Sequence, residues 1–156
     1  MSLWAKMQAW CGQLRGRRKQ REDARRAVEF EAARKAFHQQ REWLEARFFD
    51  IAAGSGRPRG LRWTEIDFEN EVTYARELSS KCLCAFVAVT ISFEAIEGGL
   101  MEGVEAVSRK RAASAMFRLK ETGWGTDGRV IFNLSPTDAI SHFREELEPV
   151  THEHSS

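Results

Sequence analysis

The sequence is short of cysteine, proline and long apolar runs, and each shortage excludes a class of protein. Three cysteines in 156 residues are too few, and odd in number, for a disulfide scaffold. Three prolines and 11 glycines exclude a collagen-like repeat. The longest uncharged stretch, Cys82 to Phe93, has 12 residues, whereas a membrane-spanning helix needs about 20. The composition therefore predicts one domain of ordinary size and not an integral membrane protein.

Charge of one sign is concentrated at the N-terminus, although the net charge of the whole chain is only +1. Residues 1–26 hold eight basic and two acidic side chains, a net +6, and the remaining residues carry −5. This asymmetry predicts an anionic partner for the N-terminal segment alone, with a solvated tail as the alternative. Nucleic acid is disfavoured as that partner, because the body is acidic and no aromatic residues interleave with the arginines.

The first 16 residues place their apolar side chains at spacings of 3, 4 and 7, along one side of a helix. Two tryptophans on such a stripe, followed by a polybasic run, are typical of a segment that lies in a membrane interface. The residues predicted to bind an anionic membrane surface are Trp4, Trp10, Arg15, Arg17, Arg18, Lys19 and Arg21. Docking of the tryptophans on the protein body or on a second subunit is the alternative. Gly12 and Gly16 weaken the predicted helix.

A long helix is predicted from Arg21 to Ala53, because apolar residues recur at helical spacings between good helix formers. Gly54 and the glycines that follow it end this helix. The stripe consists of Phe30, Ala33, Phe37, Leu44, Phe48 and Ile51.

After Gly60 the apolar period changes to 2, which predicts strands. The first covers Leu61–Glu69, with a bulge between Trp63 and Ile66, and either a turn or an irregularity at Asn70-Glu71 precedes its continuation. Further strands are predicted at 82–96, 108–120 and 129–134, with turns at 77–81 and 123–128. Ser135 and Pro136 then begin a short helix whose apolar face reaches Leu147.

The strand at 82–96 is apolar at every odd position and mostly small at its even positions. One face is therefore buried, and the other needs a cover: the C-terminal helix, a partner subunit or a ligand. A protein partner, including a second copy of the chain as a homodimer, is predicted to contact Cys84, Phe86, Ala88 and Thr90.

These elements predict an α+β fold, with a long N-terminal helix packed on a curved four- to five-stranded antiparallel sheet and a short C-terminal helix. The expected divisions are an amphipathic basic arm (residues 1–23), a single domain (24–149) and a disordered tail (150–156). Over residues 24–134, this order of elements resembles cystatin-like and NTF2-like proteins. The resemblance implies a fold but no activity, because such folds host enzymes, inhibitors and adaptors.

Catalytic constellations are sparse in the sequence. Glu94 ends an apolar strand and is the one weak candidate for a base, because a partly desolvated carboxylate gains a raised pKa. The carboxylates Glu65, Asp67 and Glu69 occupy alternate positions, so they lie on one face of the predicted strand. Exposure of that face to solvent explains these charges without a catalytic role. Each segment that contains a histidine provides at most two plausible metal ligands, which is fewer than a metal site needs, so no metal site is predicted. No cofactor is predicted either, because the sequence has no phosphate-binding or dinucleotide-binding motif. Trp63 and Trp124 are expected in the core.

The sequence favours a non-enzymatic protein-interaction module that its basic arm can hold at an anionic membrane surface. The three cysteines are expected to be reduced in a cytoplasmic protein that can associate peripherally with a membrane. The alternative is a small ligand-binding protein or enzyme, with a pocket between the long helix and the sheet.

Overall fold

The computed structural model describes residues 2–104 and 110–150. The described residues form two compact units, with the division between Gln39 and Gln40. The first unit is helix α1 (Leu3–Gln39). The second unit contains α2 (Arg41–Gly54), β1 (Leu61–Glu77), β2 (Leu83–Ala95), β3 (Arg111–Lys120), β4 (Gly123–Gly125), β5 (Val130–Phe132), α3 (Pro136–His142) and β6 (Leu147–Pro149).

A long N-terminal helix, an antiparallel sheet and a short C-terminal helix confirm the predicted α+β class. The sheet has six strands, whereas the sequence predicted four or five. The two extra strands, β4 and β6, are three residues long and contain glycine or proline. Strands this short show no alternation in the sequence, so only their pairing with distant segments reveals them.

The helical region differs from the prediction in where it starts and in its continuity. A single helix continues from the apolar N-terminal residues through the basic run to Gln39, without a break at Gly12 or Gly16. Gln40 leaves the helical conformation (φ −98°, ψ 3°), and α2 follows at Arg41. The predicted helix over residues 21–53 is therefore wrong in its start and in its continuity. Good helix formers lie between the two glycines (Gln13, Leu14 and Arg15) and directly after Gly16 (residues 17–20), and they support the uninterrupted helix.

The strand order is β4-β3-β2-β1-β6, and β5 also pairs with β3. Strand β1 is one strand of 17 residues with two shifts of register against β2. The first shift, between Trp63 and Glu65, confirms the predicted bulge, and the second, between Phe68 and Val72, shows that Asn70-Glu71 is an irregularity and not a turn.

One face of the sheet packs against α2, as predicted for the Leu44–Ile51 half of the apolar stripe. Phe48 is fully buried, and its ring centroid lies 5.9 Å from that of Phe68 and 5.6 Å from that of Phe117. Trp63 and Trp124 are buried, as expected for core residues. The apolar odd positions of β2 line this face, so α2 and the sheet enclose a common core.

The C-terminal segment covers part of the opposite face. Ala139 and Ile140 of α3 and Leu147 of β6 share a buried cluster with Phe86 and Met116. Ser135 caps α3 by accepting a hydrogen bond from the Asp138 amide, 3.2 Å away. The predicted helix through Leu147 is wrong, because α3 ends at His142 and Leu147 pairs with Glu77 of β1.

Two predictions fall on residues outside the described ranges. The start of the third predicted strand at Ser108 is one, and its described part begins at Arg111. The tail from residue 151 onward is the other.

Candidate functional site

The N-terminal half of α1 presents a stripe of exposed apolar side chains. The side chains of Trp4 and Trp10 are 69% and 62% exposed, which is unusual for tryptophan in a folded protein. The other exposed members are Leu3, Met7 and Leu14. Because these residues follow one another at spacings of 3 and 4 on a helix, they form one continuous apolar surface.

The basic residues predicted to bind anions lie on the same helix, directly after this stripe. The structure therefore brings together all seven predicted residues, from Trp4 to Arg21, on one element. In the described part of the chain, no carboxylate forms an ion pair with Arg15, Arg17, Arg18, Lys19 or Arg21. Arg25, farther along, pairs with Glu29 at 3.0 Å, and both side chains are largely exposed. The five basic residues from Arg15 to Arg21 are therefore available to an external anion.

The four predicted partner-binding residues separate into two pairs. Cys84 and Phe86 are fully buried in the cluster that α3 and β6 complete. Ala88 and Thr90, farther along the same face of β2, are half-buried. The chain itself therefore covers half of the face that the sequence left open to a partner.

Glu94, the candidate base, lies on the exposed end of β2. Its Oε1 accepts a hydrogen bond from Nε of Arg62 at 2.7 Å, and its side chain is 50% exposed. Half of the Glu94 side chain is therefore open to solvent, and its charge partner is a guanidinium on the neighbouring strand. The position supports a structural surface pair more than a catalytic one.

The cysteines are free thiols, as expected, and Cys84 is the most perturbed of them. Burial, reinforced by the nearby carboxylate of Glu77 and by Cys82, raises the pKa of the Cys84 thiol to about 12. Glu77 Oε1 also forms an ion pair with Arg118. A buried neutral thiol is a poor nucleophile, so this group has the character of a core residue.

Among residues 2–104 and 110–150, no group of three or more potential ligands could hold a metal ion. Within the same ranges, no helix combines the length and the apolar character that crossing a bilayer requires.

The described part of the second unit contains pockets at the turn after α3 and beside the ends of the strands. One, of about 470 Å³, is lined by the turn 141–146, and the other, of about 110 Å³, lies between the ends of β1, β3 and β6. Neither is lined by Glu94 or by α2, so neither corresponds to the ligand pocket of the alternative hypothesis.

The sequence prediction missed two features of potential functional sites. The first feature is Arg25, which lies four residues after Arg21 on the same uninterrupted helix. The steps of three and four residues from Leu14 through Arg17 and Arg21 to Arg25 are the sequence pattern that could have identified it as part of the site. The second feature is an edge of β1. Among the described residues, β1 pairs with β6 only from Ala75 to Glu77, so the stretch from Leu61 to Thr73 has a strand partner on one side only.

No match to this chain was found among protein-family models, curated proteins or solved structures. The similarity in element order to cystatin-like and NTF2-like proteins is therefore not accompanied by a structural match. A function for the chain is inferred from its geometry alone.

Proposed function

We propose that this protein is a non-enzymatic interaction module that α1 holds at an anionic membrane surface. The observation that carries the proposal is the exposed stripe containing Trp4 and Trp10, continued on the same helix by a basic run. Tryptophan has an apolar body and a polar N–H group, which suits the headgroup region of a bilayer. Each basic residue near an anionic surface contributes about 1 kcal/mol, so insertion and electrostatic attraction act together.

Vesicle sedimentation tests this function directly. The full chain is mixed with vesicles of phosphatidylcholine alone, or with about 30% phosphatidylserine, at low and high salt. We expect binding only to the anionic vesicles, with a loss at high salt because exposed charges are screened beyond about 10 Å at 0.1 M. Substituting both Trp4 and Trp10 with alanine should weaken the binding.

Trp43 provides a matched control, because it is also exposed, at 60%, but lies on α2. Trp43→Ala should leave vesicle binding unchanged. Equal binding by the unsubstituted chain and by the Trp4→Ala/Trp10→Ala variant would contradict the proposal, as would binding that does not depend on anionic lipid.

The protein partner in this proposal is a second copy of the chain, and the sheet edge is better suited to it than the face. Cys84 and Phe86 are covered by α3 and β6, whereas β1 from Leu61 to Thr73 has no strand beside it on its outer edge in the described ranges. Within this stretch, the backbone carbonyls of Glu69 and Asn70 accept hydrogen bonds from the Arg41 side chain. An unpaired edge offers backbone donors and acceptors to another strand. Sedimentation velocity of the full chain should show a dimer whose fraction rises with protein concentration. A monomer at all concentrations would contradict this part.

A further inference from the structure

The stripe on α1 does not end at the last apolar residue. From Leu14 the same steps of three or four residues continue into the basic run. The stripe begins at Leu3 and ends at Val28, which is close to seven complete turns at 3.6 residues per turn. All members therefore lie along one side of the helix. They are Leu3, Met7, Trp10, Leu14, Arg17, Arg21, Arg25 and Val28.

Four other cations of the same run lie off this line, and Arg18, which directly follows Arg17, is the nearest of them to it. Arg15 directly follows Leu14 and Arg26 directly follows Arg25, so each is rotated by about 100° from the line. Lys19 is two residues before Arg21 and is rotated by about 160° from the line, on the same side as Arg15 and Arg26. The helix thus separates its cations into an in-line set, Arg17, Arg21 and Arg25, and an off-line set. The three off-line cations farthest from the line, Arg15, Lys19 and Arg26, match the in-line set in number and charge.

We propose that α1 lies flat on an anionic bilayer, with its apolar end inserted and the in-line arginines held on lipid phosphates. Arg15, Lys19 and Arg26 then face water. This inference rests on the proposed function and adds the orientation of the helix and the residues that touch lipid. A guanidinium binds phosphate oxygens through paired N–H groups, which suits a cation that faces the headgroups.

A helix–helix seam is the competing explanation, because alternating steps of three and four are also typical of coiled coils. In a parallel pair, the in-line arginines of the two copies would face each other and repel. In an antiparallel pair, the apolar end of one helix would lie against the arginines of the other. Arg17 and Arg21 have no carboxylate partner in the described part of the chain that would relieve this repulsion. An anionic bilayer accommodates both halves of the line, because its apolar interior suits Leu3 to Leu14 and its phosphates suit Arg17 to Arg25.

The test compares two triple variants of the full chain on vesicles containing about 30% phosphatidylserine at about 0.1 M salt. One is Arg17→Gln/Arg21→Gln/Arg25→Gln, and the other is Arg15→Gln/Lys19→Gln/Arg26→Gln. Both remove three charges, and glutamine preserves helix propensity. Circular dichroism should confirm equal helicity. We expect partitioning to fall at least ten-fold for the in-line variant and about three-fold or less for the off-line variant, since only long-range attraction is lost there.

The outcomes distinguish the orientation from the function that it rests on. Equal losses in the two variants would overturn the orientation and leave anionic membrane binding intact. Absence of binding by the unsubstituted chain would refute the proposed function itself. A dimer in sedimentation velocity that the in-line substitutions strengthen would identify a helix–helix seam and overturn the inference.

Discussion

Replacing Gly128 with alanine tests the packing of α2 on the turn that precedes β5. Gly128 has a φ of +73°, in the left-handed region that favours glycine. A Cβ atom there would lie 2.7 Å from Cγ2 of Ile51 and 2.9 Å from the backbone nitrogen of Ala52. The Ile51 side chain can rotate, but the Ala52 nitrogen belongs to the helix backbone. The substitution therefore has to displace α2 or the turn.

The magnitude follows from two separate costs. An L-residue in the left-handed conformation costs about 1–2 kcal/mol. Overpacking of a well-packed contact adds about 1–3 kcal/mol. Gly56 isolates the first cost, because its φ is +72° and a Cβ atom added there would have no neighbouring atom within 4 Å. We expect Gly56→Ala to lower the free energy of unfolding by about 1–2 kcal/mol and Gly128→Ala by about 2–5 kcal/mol.

Urea unfolding of the full chain measures both variants. Near-ultraviolet circular dichroism follows the buried Trp63 and Trp124, and so reports on the second unit. The urea dependence of the free energy should be the same in all three proteins, since a similar surface is exposed on unfolding. Equal destabilisation by the two substitutions would refute the contact between the turn and Ile51 and Ala52, and with it the placement of α2 on this face.

Four further predictions concern single residues. Iodoacetamide at about pH 8 should modify the exposed Cys11 and spare the buried Cys84, whose pKa is raised to about 12; labelling of Cys84 at a comparable rate in the native protein would contradict its burial. Because the Cys84 thiol stays protonated in the folded state while the unfolded thiol ionises near its ordinary value of 9.0, stability should decline between pH 9 and about 12, and Cys84→Ala should reduce that decline. Ser135→Ala removes the cap of α3 and should cost about 1 kcal/mol in urea unfolding, whereas Ser141→Ala, on an exposed position of the same helix, should cost less than about 0.5 kcal/mol. Gly16→Pro should interrupt α1 between Leu14 and Arg17 and weaken vesicle binding, and Gly16→Ala, which adds a side chain into open space, should not; equal binding by the two variants would show that the two segments act without a continuous helix.

The elements with a strong apolar period could be predicted from the sequence. The alternation of β2 and the stripe through Leu44 and Phe48 identified a strand and a helix that the structure confirms in contact with the same core. The Ser135-Pro136 start of α3 was also visible, because capping is a local interaction between neighbouring residues.

The features that escaped prediction depend on long-range pairing or on small conformational preferences. Leu147 has the spacing of a helical residue, yet it pairs with Glu77, far away along the chain, and no local pattern reports that choice. Gln40 is a good helix former, and its departure from helical angles has no local cause in the sequence. Gly16 was expected to weaken the arm, but a cost of about 1 kcal/mol is offset by the good helix formers on either side.

The continuity of α1 through Gly16 is what connects the two halves of the candidate site. If a loop separated Leu14 from Arg17, the arginines could turn toward any anion, and all the basic residues would contribute equally to binding. A helix fixes the angle between each arginine and the tryptophans, because 3.6 residues complete a turn. Insertion of Met7, Trp10 and Leu14, which share one line with Arg17, Arg21 and Arg25, therefore determines which cations face the bilayer. The charge of the segment alone predicts only attraction to an anionic surface. Because the segment is one helix, the contribution of each cation to that attraction depends on its position around the helix, and variants matched in charge can measure this dependence.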